Sequence, residues 1–209
     1  MGTRHLIAVQ SEGEYKIAQY GQWDGYPSGQ GTTVLSFLSE EGNIAKLKDA
    51  LNKCRFIEDE GRDKEFIESY NKNTPEWSND PDNRTEAQRH WFESYCTRDL
   101  GGKILESVAK SEDDEILLRD NITFAHDSLF CEYAYVIDFD TNTFEVFEGF
   151  NESPLTEGRF VTDDSKVERL KDDHDRKYHP VKLLKSYSLS ELPTEEQFLE
   201  DLKPVEEEA

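Results

Sequence analysis

Hydrophobic and polar residues alternate in two separate parts of the chain, and this alternation predicts two β-hairpins. The first hairpin consists of residues 5–9 and 14–20, which are rich in β-branched and aromatic residues. The second lies at residues 131–148, where two alternating runs flank a short polar turn. A late run at residues 178–187 predicts one further strand. The pattern therefore indicates a sheet built from two hairpins and a late strand.

Apolar residues recur every three to four positions within residues 32–54 and 85–110, which is the period of amphipathic helices. Thr194 and Gln197 have the spacing of a capping box and predict a short helix near the C-terminus. The predicted fold class is α+β, with an antiparallel sheet and covering helices. Its specific version is an αββα sandwich, in which two stacked sheets lie between layers of helices.

The chain shows neither an internal repeat nor a linker, so residues 1–203 are predicted to form a single α+β domain. A single core can serve a chain of this length, since such a domain buries about 70% of the surface of its unfolded chain. Residues 58–83 are highly polar and predict an excursion or flap. Residues 204–209 are predicted to be a frayed acidic tail.

The charge balance limits the partners that we expect. Forty-six acidic residues against 24 basic ones give a formal net charge of −22, which repels phosphate backbones and anionic lipids. Direct nucleic-acid and membrane binding are therefore not expected, whereas a small molecule, a peptide or a protein partner is compatible with this charge. An acidic surface that mimics DNA and occupies a basic protein is a further hypothesis.

The cysteines and the missing motifs suggest a cytoplasmic protein without a metal or cofactor. Cys54, Cys96 and Cys131 lie far apart and form no C-x-x-C pair, so buried free thiols are expected. The sequence has no apolar run near the roughly 20 residues that span a bilayer and no signal-peptide pattern. The phosphate-loop, nucleophile-elbow and zinc-binding motifs are also missing.

The composition of residues 18–31 is unusual, because 4 glycines and 3 aromatic residues stand among polar ones. Glycines allow a ligand to approach the backbone, aromatic rings stack on it, and polar side chains bind it. The alternative is that the aromatic residues plug the end of the sheet while the glycines turn the chain. The predicted ligand-binding residues are Gln19, Gln22, Trp23, Tyr26, Gly29, Gln30 and Gly31.

The start of the chain suggests a catalytic version of this site. A terminal threonine whose own amine acts as the base can attack an amide bond, and cleavage after Gly2 would expose Thr3. Arg4 is then placed to hold a substrate carboxylate, and Asp24 to orient it. Thr3, Arg4 and Asp24 are the predicted catalytic residues. The alternative is that Thr3 and Arg4 only begin a strand.

Three segments, Thr3–Ile7, Ala18–Gly31 and Asp127–Asp138, resemble an uncharacterised family of fungal and phage-type proteins, and the resemblance spans most of residues 1–150. Many fungal members begin Met-Cys-Thr-Arg, so that methionine removal would leave a terminal cysteine similar to that of N-terminal nucleophile hydrolases. Gly2 stands at that position here, which excludes cysteine chemistry and leaves Thr3 as the substitute. The resemblance implies no particular activity.

Two main functional hypotheses follow. The first is a small-molecule or peptide site at the 19–31 loop, which hydrolyses an amide bond if it is catalytic. The second is a non-catalytic ligand-binding or protein-interaction module that uses the same surface. The acidic DNA mimic is the third hypothesis.

Overall fold

The structure is a computed structural model that describes residues 2–58, 86–161 and 177–203. The flap predicted at residues 58–83 lies outside these ranges apart from its first residue, and so does the predicted tail. Seven strands occur in the described ranges: β1 (His5–Ser11), β2 (Glu14–Gly21), β3 (Cys54–Phe56), β4 (Ile116–Leu118), β5 (Tyr133–Asp138), β6 (Thr143–Glu148) and β7 (Lys182–Ser188).

Five of these strands form one sheet in the order β2-β1-β5-β6-β7, while β3 and β4 pair separately. Both predicted hairpins are confirmed, since β1 pairs with β2 and β5 with β6 in antiparallel fashion. The late strand β7 adds to β6, also antiparallel. The two hairpins meet through β1 and β5, which run parallel. The sheet is thus mixed and mostly antiparallel, with one parallel pair that the sequence pattern does not reveal.

Helices occupy both regions in which they are predicted. They are α1 (Thr32–Ser39), α2 (Asn43–Leu51), α3 (Glu86–Trp91), α4 (Lys103–Ala109) and α5 (Glu195–Asp201). Pro27–Gly31 forms a π-helical turn before α1, and Phe92–Cys96 forms another after α3. The predicted capping box is confirmed, because the Thr194 side chain accepts the Gln197 N–H and the Gln197 side chain accepts the Thr194 N–H.

Helices cover one face of the main sheet, and loops cover the other face. Ile7 and Val9 of β1 pack into a core cluster to which all five described helices contribute. Leu6 and Ala8 point the other way and pack against residues from loops, such as Phe160. The α+β class is therefore confirmed, but the second stacked sheet of an αββα sandwich is not found among the described residues. The reason is that β3 and β4 form only a two-stranded pair beside the main sheet.

One end of the main sheet gathers segments that are far apart in sequence. β1 begins at His5, which is paired with Gly21 at the end of β2 and with Tyr133 at the start of β5. Tyr133 is in turn paired with Glu148 at the end of β6. The residues just outside these strand ends therefore share one edge, which we call the site end: 2–4, 22–31, 127–132 and 149–151.

Candidate functional site

The start of the chain packs directly against the 19–31 loop. The Gly25 N–H donates to the Thr3 carbonyl oxygen at 2.9 Å. A Cβ atom added to Gly2 would lie 2.4 Å from the Gln22 carbonyl oxygen and 2.5 Å from a ring carbon of Trp23. The position at which the resemblance implies a nucleophilic cysteine therefore has no room for a side chain, since the backbone at Gln22 and the Trp23 indole would both have to move.

The three predicted catalytic residues all lie at the site end, but two of them have other side-chain partners. The Nε atom of Arg4 lies 3.5 Å from Glu132 Oε1, and the guanidinium lies 4.7 Å from the centre of the Phe130 ring. Asp24 Oδ1 accepts the Tyr26 hydroxyl at 3.2 Å. In the described part of the chain, no hydrogen bond joins the side chains of these three residues.

Two of the predicted ligand-binding glutamines form hydrogen bonds within the protein. Gln19 is 4% exposed, and its amide donates to the carbonyl oxygen of Thr97 at 3.2 Å. Gln30 Oε1 accepts the Gly102 N–H at 2.7 Å. Both amides therefore connect the loop to residues 97–102 and have limited capacity left for a ligand.

Gln22 and Trp23 extend the same connection. The Gln22 N–H donates to the Arg98 carbonyl at 3.0 Å, while its Oε1 atom accepts the Tyr20 hydroxyl. The indole Nε1 of Trp23 donates to Asp99 Oδ1 at 2.8 Å. This bond fixes the indole orientation and leaves the side chain 45% exposed.

The glycines of the loop serve packing within the protein. The hydroxyl of the buried Tyr135 donates to the Gly25 carbonyl oxygen at 2.8 Å. A Cβ atom at Gly31 would lie 3.0 Å from the Tyr135 ring, and one at Gly29 would lie 2.2 Å from the Asp24 carbonyl oxygen. Neither glycine leaves open space above its own backbone. These contacts favour the alternative in which the glycines turn the chain.

Replacing Gly29 with alanine is expected to lower the free energy of unfolding by about 1–3 kcal/mol, the usual cost of overpacking. The Asp24 carbonyl oxygen that the new methyl group would meet is held in place by the Gln30 N–H at 2.8 Å. Urea unfolding measures the effect. Ser28→Ala, a change at the exposed neighbour, is the control and should stay within about 0.5 kcal/mol. Equal stabilities of the two variants would contradict the predicted clash between the new methyl group and the Asp24 carbonyl oxygen.

Four aromatic side chains are exposed at the site end, and we call this set the aromatic end. Their exposed fractions are 45% for Trp23, 41% for Tyr26, 40% for Phe130 and 54% for Phe150. Phe150 adopts a φ of +50°, a conformation that costs free energy in a bulky residue. Its N–H donates to the Ser128 carbonyl at 2.7 Å, which holds this conformation. The exposed rings thus project from fixed backbone segments.

His5 lies buried beneath this surface with its ring against two glycines. A Cβ atom at Gly21 would lie 2.1 Å from His5 Nε2, and one at Gly25 would lie 3.0 Å from Nδ1. Neither ring nitrogen makes a hydrogen bond of normal geometry within the described residues. Burial lowers the pKa of His5 to about 4, although the Thr3 backbone and Asp24 favour the charged form. The imidazole is therefore neutral at pH 7.

A hydrogen-bond network around His90 lies outside the predicted site. Its Nε2 atom lies 3.0 Å from Asp113 Oδ2, and its Nδ1 atom lies 3.3 Å from the Ser94 hydroxyl. Asp113 also accepts the Tyr95 hydroxyl at 2.7 Å, which with the other bonds lowers the pKa of the carboxyl group. The network links α3 and the following π-helical turn to the segment before β4. The sequence gives no signal for it, because Asp113 lies 23 positions from His90.

Comparisons with protein-family models, with curated proteins and with solved structures give no match for this chain. No helix among the described residues is long and apolar enough to cross a membrane. In the same ranges, no group of three or more His, Cys, Asp and Glu side chains is arranged to hold a metal ion. The fold and the site define an α+β protein with an exposed aromatic surface at one end of its sheet.

Proposed function

We propose that this protein is a non-catalytic interaction module that binds a peptide or a small molecule through the aromatic end. The observation that carries the proposal is that three separate segments bring four exposed aromatic rings to one edge of the sheet. Aromatic residues are enriched in the cores of protein interfaces and supply most of the strong anchor contacts.

The fixed geometry of the rings supports binding. The Trp23 indole is tied to Asp99, and the Tyr26 hydroxyl is tied to Asp24. A partner therefore meets side chains whose rotamers are already restricted, which reduces the entropy that binding costs. The hydrogen bonds use the polar edges of these two side chains and leave exposed ring surface available for contact.

Charge favours a cationic partner. The chain has a net charge of −22, and the carboxylates of Asp24, Asp99 and Glu132 lie at or beside the aromatic end. A Lys or Arg side chain can pair with such carboxylates and also lie over an aromatic ring. A basic peptide or a small cation is therefore the partner class that this surface suits best.

The observed contacts support the non-catalytic version over the amide hydrolase. Arg4 is engaged by Glu132 and Phe130, and the Asp24 carboxylate is engaged by Tyr26. In a catalytic version, these contacts would compete with the substrate for both side chains. An aromatic binding surface involves no such competition at its rings.

Selection of random linear peptides on the immobilised full chain tests the proposal. We expect the selected peptides to contain Lys or Arg next to aromatic or aliphatic anchors. Trp23→Ala should weaken the best peptide at least about tenfold, or about 1.4 kcal/mol, as is typical of an anchor residue. The affinity is measured by isothermal titration calorimetry.

Val161→Ala is the matched control, because Val161 is 43% exposed but follows a segment whose Arg159 binds the far end of β5 at Asp138. Its affinity for the selected peptide should stay within about twofold of the wild-type value. If the peptides bind Trp23→Ala as tightly as the wild-type chain, or if selection returns no basic peptides, the proposal is wrong.

A further inference from the structure

A cavity of about 330 Å³ opens beside the aromatic end. Small-molecule pockets have volumes of about 300–1,000 Å³, so this cavity is at the lower limit. It therefore suits a small ligand and is too small for a dinucleotide. The residues that line it are Tyr20, Asn121, Thr123, Phe124 and Asp127.

Two aromatic rings give the cavity an apolar wall. Tyr20 lies on β2, and Phe124 lies on the 3₁₀ turn Ile122–His126. The ring centroids are 5.0 Å apart at an interplanar angle of 81°, an edge-to-face arrangement. Such rings bind an alkyl chain by apolar contact and attract a cation through the ring face.

Asp127 is the carboxylate among the residues that line the cavity. Asp127 Oδ1 is buried and has no hydrogen-bond partner among the described residues. Burial raises the pKa of Asp127, although the backbone N–H groups of Phe130 and Leu129 and the charge of Arg4 act in the opposite direction. A buried acceptor without a partner is costly, and a bound donor would remove that cost.

Arg4 is the cation whose charge acts on Asp127, and its guanidinium has other partners as well. Its Nε atom lies 3.5 Å from Glu132 Oε1, and the group stacks on Phe130 at 4.7 Å. The negative charge of Glu132 offsets part of the positive charge of Arg4, and Asp127 is the carboxylate among the lining residues. Anionic ligands are disfavoured there, and cationic ones are favoured.

We infer that this cavity is a binding site for a primary alkylammonium group. The ammonium donates one N–H to the Asp127 carboxylate and another to the Thr123 hydroxyl, and its alkyl chain packs on Tyr20 and Phe124. A neutral alcohol of the same length would make the apolar contacts without the charge pair. The group could be that of a free amine or of a lysine side chain, and the inference does not depend on the proposed function of the aromatic end.

Titration of the ¹⁵N-labelled full chain with n-butylammonium chloride tests this inference. We expect saturable shifts of the Asn121 and Thr123 amide signals with a millimolar Kd, and much smaller shifts with n-butanol or with sodium chloride at the same concentrations. Asp127→Asn keeps the side-chain shape and should weaken binding at least about tenfold, the loss expected for a charged hydrogen bond. Equal binding of n-butanol, or unchanged binding by Asp127→Asn, would overturn the inference.

Asp120→Asn is the matched control, because this nearby carboxylate already accepts the Ile122 N–H at 2.9 Å and does not line the cavity. It should change the affinity by less than about twofold. Thr123→Val removes the hydroxyl that is proposed to accept from the ammonium, and this position is exposed. This variant is the test if Asp127→Asn fails to fold. Weaker binding of n-butylammonium then supports the site, and unchanged binding overturns it. Titration with Nα-acetyl-lysine methylamide then distinguishes the two sources, since tighter binding than n-butylammonium indicates a lysine side chain and weaker binding indicates a free amine.

Discussion

Arg159→Met is expected to lower the free energy of unfolding by about 3–5 kcal/mol, the cost of removing one partner from a buried ion pair. Arg159 Nη2 lies 2.6 Å from Asp138 Oδ2, and its Nε atom lies 2.6 Å from Glu145 Oε2. The side chain of Asp138 is only 3% exposed. Methionine keeps much of the apolar stem but leaves two buried or half-buried carboxylates without their shared cation, so the loss is mainly electrostatic.

Guanidinium unfolding followed by circular dichroism measures this loss. The double variant Arg159→Met/Asp138→Asn should recover part of it, because asparagine removes the charge and keeps an acceptor for the Asp140 and Thr141 N–H groups. Lys182→Met is the control, since it breaks an exposed ion pair with Glu148 at 3.4 Å and should cost less than about 1 kcal/mol. A similar loss in Arg159→Met and Lys182→Met would show that the buried network contributes little.

The hairpins could be predicted because their signal is local. Alternation of side chains between two faces is visible within one strand, and the turn between β5 and β6 follows from the residues that form it. There, Asp138 Oδ1 accepts the N–H groups of Asp140 and Thr141 at 2.8 and 3.0 Å. The parallel pairing of β1 with β5 could not be predicted in this way. It joins His5 to Tyr133 and depends on the path of the whole intervening chain.

The candidate site was only partly predictable for the same reason. A glutamine beside glycines has the same sequence pattern whether it binds a ligand or another part of its own protein. Only the hydrogen-bond partner distinguishes the two roles. For Gln19 that partner is Thr97, 78 positions away, and for Gln30 it is Gly102, 72 positions away. The exposure of Phe150 is also not visible in the sequence, because it depends on a backbone φ of +50° just after β6.

His5 makes the stability of the fold depend on pH in a predictable direction. Its side chain is 0% exposed, and burial lowers its pKa from 6.5 to about 4. As the pH falls, the unfolded chain therefore takes up a proton near pH 6.5, whereas the folded chain does so only near pH 4. Between these values the unfolded state binds more protons, so stability falls as the pH falls. Below pH 4 this loss is complete.

The total loss from His5 is about 3 kcal/mol at 1.36 kcal/mol for each pKa unit, and about 2 kcal/mol of it falls between pH 7 and pH 5. His5→Leu lacks this proton site and shares nearly all the others, including the many carboxylates. Urea unfolding of both proteins at pH 7 and pH 5 measures this effect. From pH 7 to pH 5, the wild-type chain should lose about 2 kcal/mol more stability than His5→Leu. Identical pH dependence in the two proteins would mean that the imidazole takes up its proton in the folded state near pH 6.5. The segment that covers His5 at Gly21 and Gly25 would then open to water far more readily than its contacts indicate.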